Sequence, residues 1–271
     1  MLFKKRAEQG EQNGVTYING KVQFQSVKLN VYSYIVDGVC IDTGARSLRK
    51  LFLPFYDEQI FDQIVLTHYH EDHSGNAADL QQKGFPIYMN QTMLESCAKK
   101  ANYPLYRKMF WGARKPFTAQ PLESTFQSRS ATWDVIETPG HAKDHVSLLN
   151  RETGQLFTGD LYVSSRTKVV LKEESIPMII TSLNKVLTYE FEDVFCSHAG
   201  LLKNGRQALL AKRNYLVELE EKVVDFAKQG YVAEEIREML FPKKYPITRM
   251  SSGEWNSMHI VTSILKESEK I

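Results

Sequence analysis

The sequence predicts an α/β fold, in which two packed sheets form a sandwich with helices on its outside. Apolar, β-branched runs of strand length recur in both halves of the chain, and many end in polar residues beside a glycine. Candidate helices follow several of these runs. The chain has 271 residues, 42% of them hydrophobic and 24% charged, which suffices for one large core and an appendage. These observations favour the sandwich over a doubly wound sheet.

The first strands are predicted as two hairpins, over residues 15–27 and 31–41. The first hairpin is predicted to turn at Asn19-Gly20, because Asn-Gly between two such runs is a strong hairpin signal. The second hairpin ends at Asp42, a polar residue at the end of an apolar strand.

A short stretch after the apolar run at residues 64–66 organises the chain, since it holds four potential metal ligands within six positions. A strand places alternate side chains on one side, so His68 and His70 can point the same way as the strand ends. Asp72 and His73 follow where the chain turns. The four side chains form two groups, as two adjacent metal ions would need. A polar loop with surface histidines is disfavoured, because solvation alone does not explain this density.

The rest of the first 205 residues alternates between short strands and helices. Further strands are predicted at residues 86–89, 133–136, 146–149, 155–158 and 194–197. Helices are predicted at residues 47–56, 76–83, 91–100 and 176–187. Ser74 is a candidate cap for the second of these helices.

Three single residues extend the metal-binding pattern. His141, Asp160 and His198 each stand at the end of a predicted strand, beside a glycine or another small residue. A lone histidine at such a place is more often structural, and a lone Gly-Asp is more often a turn. Their significance comes from joining the four ligands above, because zinc binds both imidazole nitrogen and carboxylate oxygen. Two metals that share a bridging carboxylate would use all seven residues.

In order and approximate spacing, these motifs resemble the metallo-β-lactamase superfamily. The similarity lies in the pattern His68-x-His70-x-Asp72-His73, then His141, Asp160 and His198, with Asp42-Thr43-Gly44, Thr138-Pro139-Gly140-His141 and His145 as further matching features. The resemblance covers roughly residues 15–205. It implies an αββα four-layer sandwich and a catalytic domain over residues 1–205.

The resemblance also implies how the ligands divide. One metal would take His68, His70 and His141, and the other would take Asp72, His73 and His198. Asp160 would bridge the two, while Asp42 and His145 would orient ligands. The expected cofactors are two Zn²⁺ ions, with Mn²⁺ or Fe²⁺ as alternatives.

The expected chemistry is hydrolysis by a zinc-bound hydroxide. Metals lower the pKa of water and polarise a carbonyl or phosphoryl oxygen, and Asp72 would orient the nucleophile or accept its proton. No Gly-x-Ser-x-Gly elbow and no phosphate-binding loop occurs, which disfavours serine hydrolases and nucleotide triphosphatases.

A small acyl compound is the preferred substrate: a thioester, ester or lactone. The Thr-Pro-Gly-His and Gly-Asp phrases resemble the glyoxalase II branch and related lactonases, but the chain departs from glyoxalase II at Leu161-Tyr162-Val163. Tyr162 would contact a leaving group, or is simply a packed aromatic residue.

Two alternatives from other classes stay open. One is a phosphodiesterase or ribonuclease, in which Arg166, Lys168, Lys172 and a basic aromatic segment at residues 99–117 contact phosphates. That segment is otherwise a half-buried surface with solvated charges, or a wall of the site that meets an anionic substrate. Nucleic acid is disfavoured, since the net charge of +2 is nearly balanced. The other alternative is a non-hydrolytic metal-binding protein.

Residues 206–271 are predicted to form a separate helical segment. Apolar spacing predicts a long amphipathic helix over 207–229 and shorter helices at 232–241 and 256–266. No apolar stretch follows the basic amino terminus, so no signal peptide is expected, and no run of 18 apolar residues suggests a membrane span. Three scattered cysteines favour reduced thiols in the cytoplasm. The oligomeric state is left open.

Overall fold

The first half of the chain forms a seven-stranded sheet. The structure, a computed structural model, describes residues 3–268. The strands are β1 Lys4–Gln12, β2 Val15–Phe24, β3 Val27–Val36, β4 Val39–Ile41, β5 Gln63–Val65, β6 Ile87–Met89 and β7 Gln120–Pro121. They follow each other in the sheet in chain order. Strands β1 to β4 pair antiparallel, and β4 to β7 pair parallel.

The first hairpin turn lies at Asn13-Gly14, and the predicted turn at Asn19-Gly20 is wrong. Asn13 and Gly14 have φ values of 51° and 76°, and left-handed backbone at both turn residues suits a two-residue hairpin. Asn19 and Gly20 instead pair with β3 inside β2. A Cβ on Gly20 would lie 2.5 Å from the Phe52 ring. This glycine therefore serves the close approach of a helix to the strand.

The second half of the chain forms a six-stranded sheet and a small two-stranded sheet. Strands β8 to β15 cover Thr125–Gln127, Thr132–Glu137, Val146–Asn150, Leu156–Phe157, Val170–Leu171, Val194–Cys196, Gly200–Leu201 and Trp255–Asn256. The larger sheet has the order β14-β13-β11-β10-β9-β8. In it β11 and β13 run parallel, and the other neighbours run antiparallel. The small sheet pairs β12 with β15.

The two large sheets pack face to face through aromatic side chains. Tyr34 of the first sheet lies 5.4 and 5.5 Å, between ring centroids, from Phe157 and Phe195 of the second. Trp133 and Val65 are fully buried in the same core. Such tilted aromatic contacts add to the apolar area that each ring buries. The interface makes the fold a sandwich of two sheets.

Helices cover the outer face of each sheet. They are α1 Arg49–Asp57, α2 Ala77–Gln81, α3 Leu94–Cys97, α4 Leu105–Trp111, α5 Ile176–Val186, α6 Gly205–Lys228, α7 Ala233–Leu240, α8 Pro246–Met250 and α9 Met258–Ser268. Phe52 of α1 packs on the first sheet, and Leu183 of α5 packs on the second. The helix predicted at 91–100 is shorter, since a 3-10 turn at Gln91–Met93 precedes α3. The predicted α/β sandwich is confirmed.

Ser74 does not cap a helix. Helix α2 begins only at Ala77, after Asn76. The Ser74 hydroxyl lies 2.9 Å from the carbonyl oxygen of Tyr69 and 2.9 Å from that of His70, and it shares its one proton between them. Ser74 therefore holds the ligand-bearing loop in its folded shape.

The C-terminal helices complete the core on the second sheet. Leu216 and Val223 of α6 and Ile264 of α9 lie in the same core as Leu149 and Ile180. The long helix predicted over 207–229 is confirmed as α6. A buried apolar stripe along one face accounts for its amphipathic sequence.

The division of the chain at residue 205 stays a prediction, as does the cytoplasmic location. Residues 1–2 and 269–271 of the two predicted segments lie outside the described residues. Between residues 3 and 268, no helix combines the length and the apolar character that crossing a membrane requires.

Candidate metal centre

The structure brings all seven predicted ligands together at one edge of the sandwich. Four come from the loop after β5, and the other three follow β9, β11 and β13. Their donor atoms fall into three sets within 4.8 Å of one another: His68, His70 and His141; His68, His73 and Asp160; Asp72, His73 and His198. The first and third sets have the membership that the family resemblance implies for the two metals.

Asp160 lies between these two sets. Its Oδ2 atom is 3.3 Å from His141 Nε2 and 3.0 Å from His198 Nε2. Its Oδ1 atom is 3.5 Å from His73 Nε2. His141 Nε2 is in turn 3.0 Å from His70 Nδ1. A carboxylate in this position can reach a cation in either set.

Three ligand histidines use their other ring nitrogen to bind a carboxylate. His70 Nε2 lies 3.1 Å from Glu173. His141 Nδ1 lies 3.1 Å from Glu174, and His73 Nδ1 lies 2.7 Å from Asp42. Because a carboxylate accepts the proton of the nitrogen that faces it, the opposite nitrogen is the one that can offer a lone pair to the centre when the ring is neutral.

The other two histidines are oriented by neutral acceptors. His198 Nδ1 lies 2.5 Å from the carbonyl oxygen of Asn30. His68 Nδ1 lies 3.1 Å from the Thr67 hydroxyl, which donates onward to Asp42. All five imidazoles therefore have an acceptor on the side away from the centre.

Several atoms that face the centre are buried without a hydrogen-bond partner. Among the described residues these include His68 Nε2, His73 Nε2 and Asp160 Oδ1. An unsatisfied buried polar atom destabilises the folded state by about 1–3 kcal/mol. Cations would satisfy all three atoms, and imidazole and carboxylate are the donors that zinc prefers. The residues therefore fit a metal centre.

Burial and neighbouring charges set the protonation of the centre. Burial, reinforced by the nearby imidazoles, holds the pKa of His68 well below its usual value. Against the effect of burial, His198 and His73 hold the pKa of Asp160 well below its usual value. Asp160 in turn raises the pKa of His198 to about 9, again against burial. A cation must therefore displace a proton from His198, which couples metal binding to proton release.

The two predicted orienting residues both contact ligand residues. Asp42 accepts from His73, and from the backbone N–H of Thr67 at 2.8 Å. His145 Nε2 accepts from the backbone N–H of Asp160 at 2.9 Å, and its Nδ1 lies 2.8 Å from the Thr138 hydroxyl. Burial lowers the pKa of His145 to about 3, so its ring is neutral and can accept this bond.

A cavity of about 610 Å³ opens over the centre and is called the site cavity here. Its walls include Tyr162 and Arg166, the two predicted substrate contacts, which lie on the loop after Asp160. The aromatic residues Tyr106, Phe110, Trp111, Tyr245 and Trp255 also line it and are together called the aromatic wall. The site therefore combines the candidate ligands with a large apolar lining.

Two cations of the segment at 99–117, Arg107 and Arg114, bind to groups within the protein. Arg107 makes two 2.7 Å bonds to Glu71 and a 3.2 Å contact to Glu254. Buried Arg114 donates to the carbonyl oxygen of Cys97 at 2.8 Å. The expectation of solvated charges is wrong for these two residues. The segment does form a wall of the site, through the aromatic residues Tyr106, Phe110 and Trp111 and through the paired Arg107.

Sequence reasoning missed the acceptors Glu173, Glu174 and Asn30. Each is far along the chain from the histidine that it orients, by 103, 33 and 168 residues respectively. The one local signal is the acidic pair directly before Ser175, the N-cap of α5.

Comparison with known proteins identifies the family. A model of the metallo-β-lactamase superfamily matches residues 28–218, which is more than half of the chain. The chain belongs to the metallo-β-lactamase superfamily. The resemblance inferred from the sequence is thereby confirmed.

The superfamily relatives include longer proteins. A lactamase-like protein from Pestalotiopsis microspora is 28% identical over 189 residues, or 68% of this chain and 53% of the relative. An atrochrysone carboxyl ACP thioesterase from Passalora fulva is 27% identical over 150 residues, or 52% of this chain and 38% of the relative. The chain thus spans about half or less of the length of these relatives.

Solved superfamily structures share the fold. A β-lactamase domain protein from Burkholderia ambifaria superposes with a TM-score of 0.70 at 17% identity, covering 97% of this chain and 88% of that one. Likeness at this level of identity supports the fold alone.

Proposed function

We propose that this protein is a metal-dependent hydrolase of small acyl thioesters that works with two zinc ions. The observation that carries the proposal is the position of Asp160 between two sets of candidate ligands. Each of the five candidate histidines is in addition oriented by a hydrogen-bond acceptor. The cations would be held by the residues of these two sets. Bound divalent cations lower the pKa of water and polarise the carbonyl that is attacked.

The chain's own residues would prepare the reaction in three ways. Asp160 and the five histidines would hold the cations, and the acceptors behind the histidines turn one ring nitrogen of each towards the centre. Asp72, whose Oδ2 lies 3.7 Å from His198 Nε2, would orient the attacking water and accept its proton. The water oxygen forms a bond to the acyl carbon, the carbon–sulfur bond breaks, and the thiol leaves with a proton.

Two features support an acyl substrate. The aromatic wall offers apolar surface beside the centre, where an acyl group would be shielded from water. A relative named as a thioesterase matches about half of the chain, which supports the same class. The engagement of Arg107 and Arg114 within the protein weighs against nucleic acid, because these cations are not free to bind phosphates.

A substrate panel on zinc-loaded protein tests the proposal. It should contain acetyl, octanoyl and benzoyl thioesters of coenzyme A, a lactone, a β-lactam, an aryl phosphodiester and a short RNA. We expect the thioesters with larger acyl groups to give the highest kcat/KM. The His198→Ala variant is the control, since loss of this ligand should lower turnover by orders of magnitude without unfolding the protein. Preferred cleavage of the phosphodiester or RNA would contradict the acyl assignment.

Elemental analysis tests the metal content. We expect two zinc ions per chain after loading and desalting, and competition with Mn²⁺ and Fe²⁺ would identify the preferred metal. One ion or none at zinc saturation would contradict a dinuclear centre.

A further inference from the structure

Lys212 lies in an unusual place for a lysine. It lies in the first half of α6, is 4% exposed and lines the site cavity. Lysine is almost never fully buried unless its charge is paired. Among residues 3–268, no carboxylate lies within ion-pair distance of its Nζ atom. The burial of this ammonium group therefore needs an explanation other than an ion pair.

The partners of Lys212 are backbone carbonyl groups. Its Nζ donates to the carbonyl oxygen of Leu161 at 2.7 Å and also to that of Tyr162. Burial lowers the pKa of Lys212 to about 8, so the group is mostly protonated at neutral pH and can donate both bonds. Both acceptors directly follow Asp160, the residue shared by the two ligand sets.

These carbonyl groups belong to a strained turn. Val163 has a φ of 52°, and a β-branched residue in left-handed backbone is an outlier. The Ser164 N–H donates back to the Tyr162 carbonyl oxygen at 2.6 Å, which closes a three-residue γ-turn around Val163. A γ-turn with a positive φ at its central residue is rare and strained. Such conformations persist only where the surroundings enforce them, and they occur most often at functional sites.

We propose that Lys212 is a positioning residue that holds the turn from Leu161 to Ser164. Its ammonium fixes two successive carbonyl groups and so sets the direction in which the chain leaves Asp160. In this way a C-terminal helix controls a metal ligand in the middle of the chain and the placement of Tyr162 in the site cavity. The inference rests on the metal site proposed above.

The test compares Lys212→Met with Lys222→Met, a substitution on the same helix. Lys222 is half exposed and pairs with Glu218 one turn away. Both proteins are loaded with Co²⁺, whose visible absorption reports ligand geometry without any substrate. We expect Lys212→Met to change the cobalt bands. We also expect it to lower kcat about tenfold and to leave KM nearly unchanged, because losing a group that supports a metal ligand typically has an effect of this size. Lys222→Met should match the wild type.

A second substitution separates positioning from a general structural role. Glycine adopts left-handed backbone without steric cost, so in Val163→Gly the turn should depend less on the hydrogen bonds from Lys212. In that background we expect Lys212→Met to lower kcat by only about threefold and to leave the cobalt bands close to those of Val163→Gly alone. If Lys212→Met does not fold, Lys212→Gln, which keeps a neutral donor, carries the same comparison.

The outcomes distinguish the two proposals. Wild-type protein without cobalt bands would contradict the metal centre. Normal wild-type bands that Lys212→Met leaves unchanged would overturn the role of Lys212, as would an equal loss in the two backgrounds.

Discussion

Asp42 accepts hydrogen bonds from several groups that shape the centre, namely His73, Thr67 and Ser197. Asn at this position would lose the charge and one acceptor site, so His73 would no longer be fixed in the required tautomer. We expect Asp42→Asn to weaken metal binding roughly 10- to 100-fold. Competition with a chromophoric chelator measures this affinity.

The matched control is Asp57→Asn. Asp57 is an exposed carboxylate whose side chain pairs with Lys83 on the surface. Its replacement should leave metal affinity unchanged. Equal affinities of Asp42→Asn and the wild type would show that the His73 ring is held by packing alone.

Asp144 should make stability depend on pH. It is fully buried, and burial raises the pKa of its carboxyl to about 7. Between its unfolded pKa of about 3.9 and this value, the folded protein binds a proton that the unfolded chain has released. The stability that this proton contributes is complete below about pH 4 and is lost as the pH rises through 7.

The Asp144→Asn variant should remove this dependence. We expect it to match the wild type near pH 4 and to be more stable at pH 8, because its amide is never charged. Urea unfolding at several pH values measures the difference. Parallel curves for the two proteins would contradict a protonated Asp144.

At this scale the sequence predicts the seven candidate ligands from their residue types, their places at predicted strand ends and the resemblance of their order to the family pattern. Four lie in one loop, and three stand at strand ends that the sandwich brings to the same edge. The acceptors Glu173, Glu174 and Asn30 could not be predicted in this way. Their roles arise from packing between distant segments, and any of the 32 acidic residues of the chain could have supplied the carboxylates.

At the scale of secondary-structure elements, helix α4 carries charged residues and still contributes a buried ion pair. Arg107 pairs with Glu71, whose side chain is 2% exposed. Glu71 lies inside the ligand loop, so this pair attaches α4 to the centre. Replacing Arg107 would leave the Glu71 charge buried and unpaired. We expect Arg107→Gln to lower the free energy of unfolding by about 3–5 kcal/mol, measured by urea denaturation.

Lys99→Gln provides the comparison for that variant. Its side chain is 75% exposed and faces Glu95, whose side chain is 93% exposed. Exposed pairs of this kind contribute only about 0–1 kcal/mol. A similar small loss for Arg107→Gln would mean that Glu71 finds another partner or water.

The same scale explains the errors in the predicted strands. Strand β1 has mostly exposed side chains, so it carries no apolar period for a sequence reading to detect. Its partner β2 contains Asn19-Gly20, which looks like a turn, whereas the glycine allows Phe52 to approach. Local propensity is read from neighbours in the chain, while both of these features depend on neighbours in space.

For the whole molecule, the C-terminal helices are part of the core and of the site. They supply Leu216, Val223 and Ile264 to the core of the second sheet, and Lys212 of α6 lines the site cavity. Strand β15, between α8 and α9, supplies Trp255 to the aromatic wall. A chain ending at residue 205 would expose the apolar face that they cover. We expect it to bind a hydrophobic dye and to lack a cooperative thermal transition. A cooperative transition in this fragment would show that residues 1–205 fold alone.

Removing the metals should lower the stability of the entire fold. A ligand that binds only the folded state stabilises it by about 2.7 kcal/mol at one hundred times its Kd, and a chain of this size shifts its Tm by roughly 2–4 °C per kcal/mol. Each occupied site should therefore add about 5–10 °C under these conditions. Thermal unfolding with excess zinc and with a chelator measures the sum. Because His198 belongs to one of the ligand sets, His198→Ala should keep about half of the shift in Tm. An unchanged Tm when metal is chelated from the wild type would contradict tight binding at this centre.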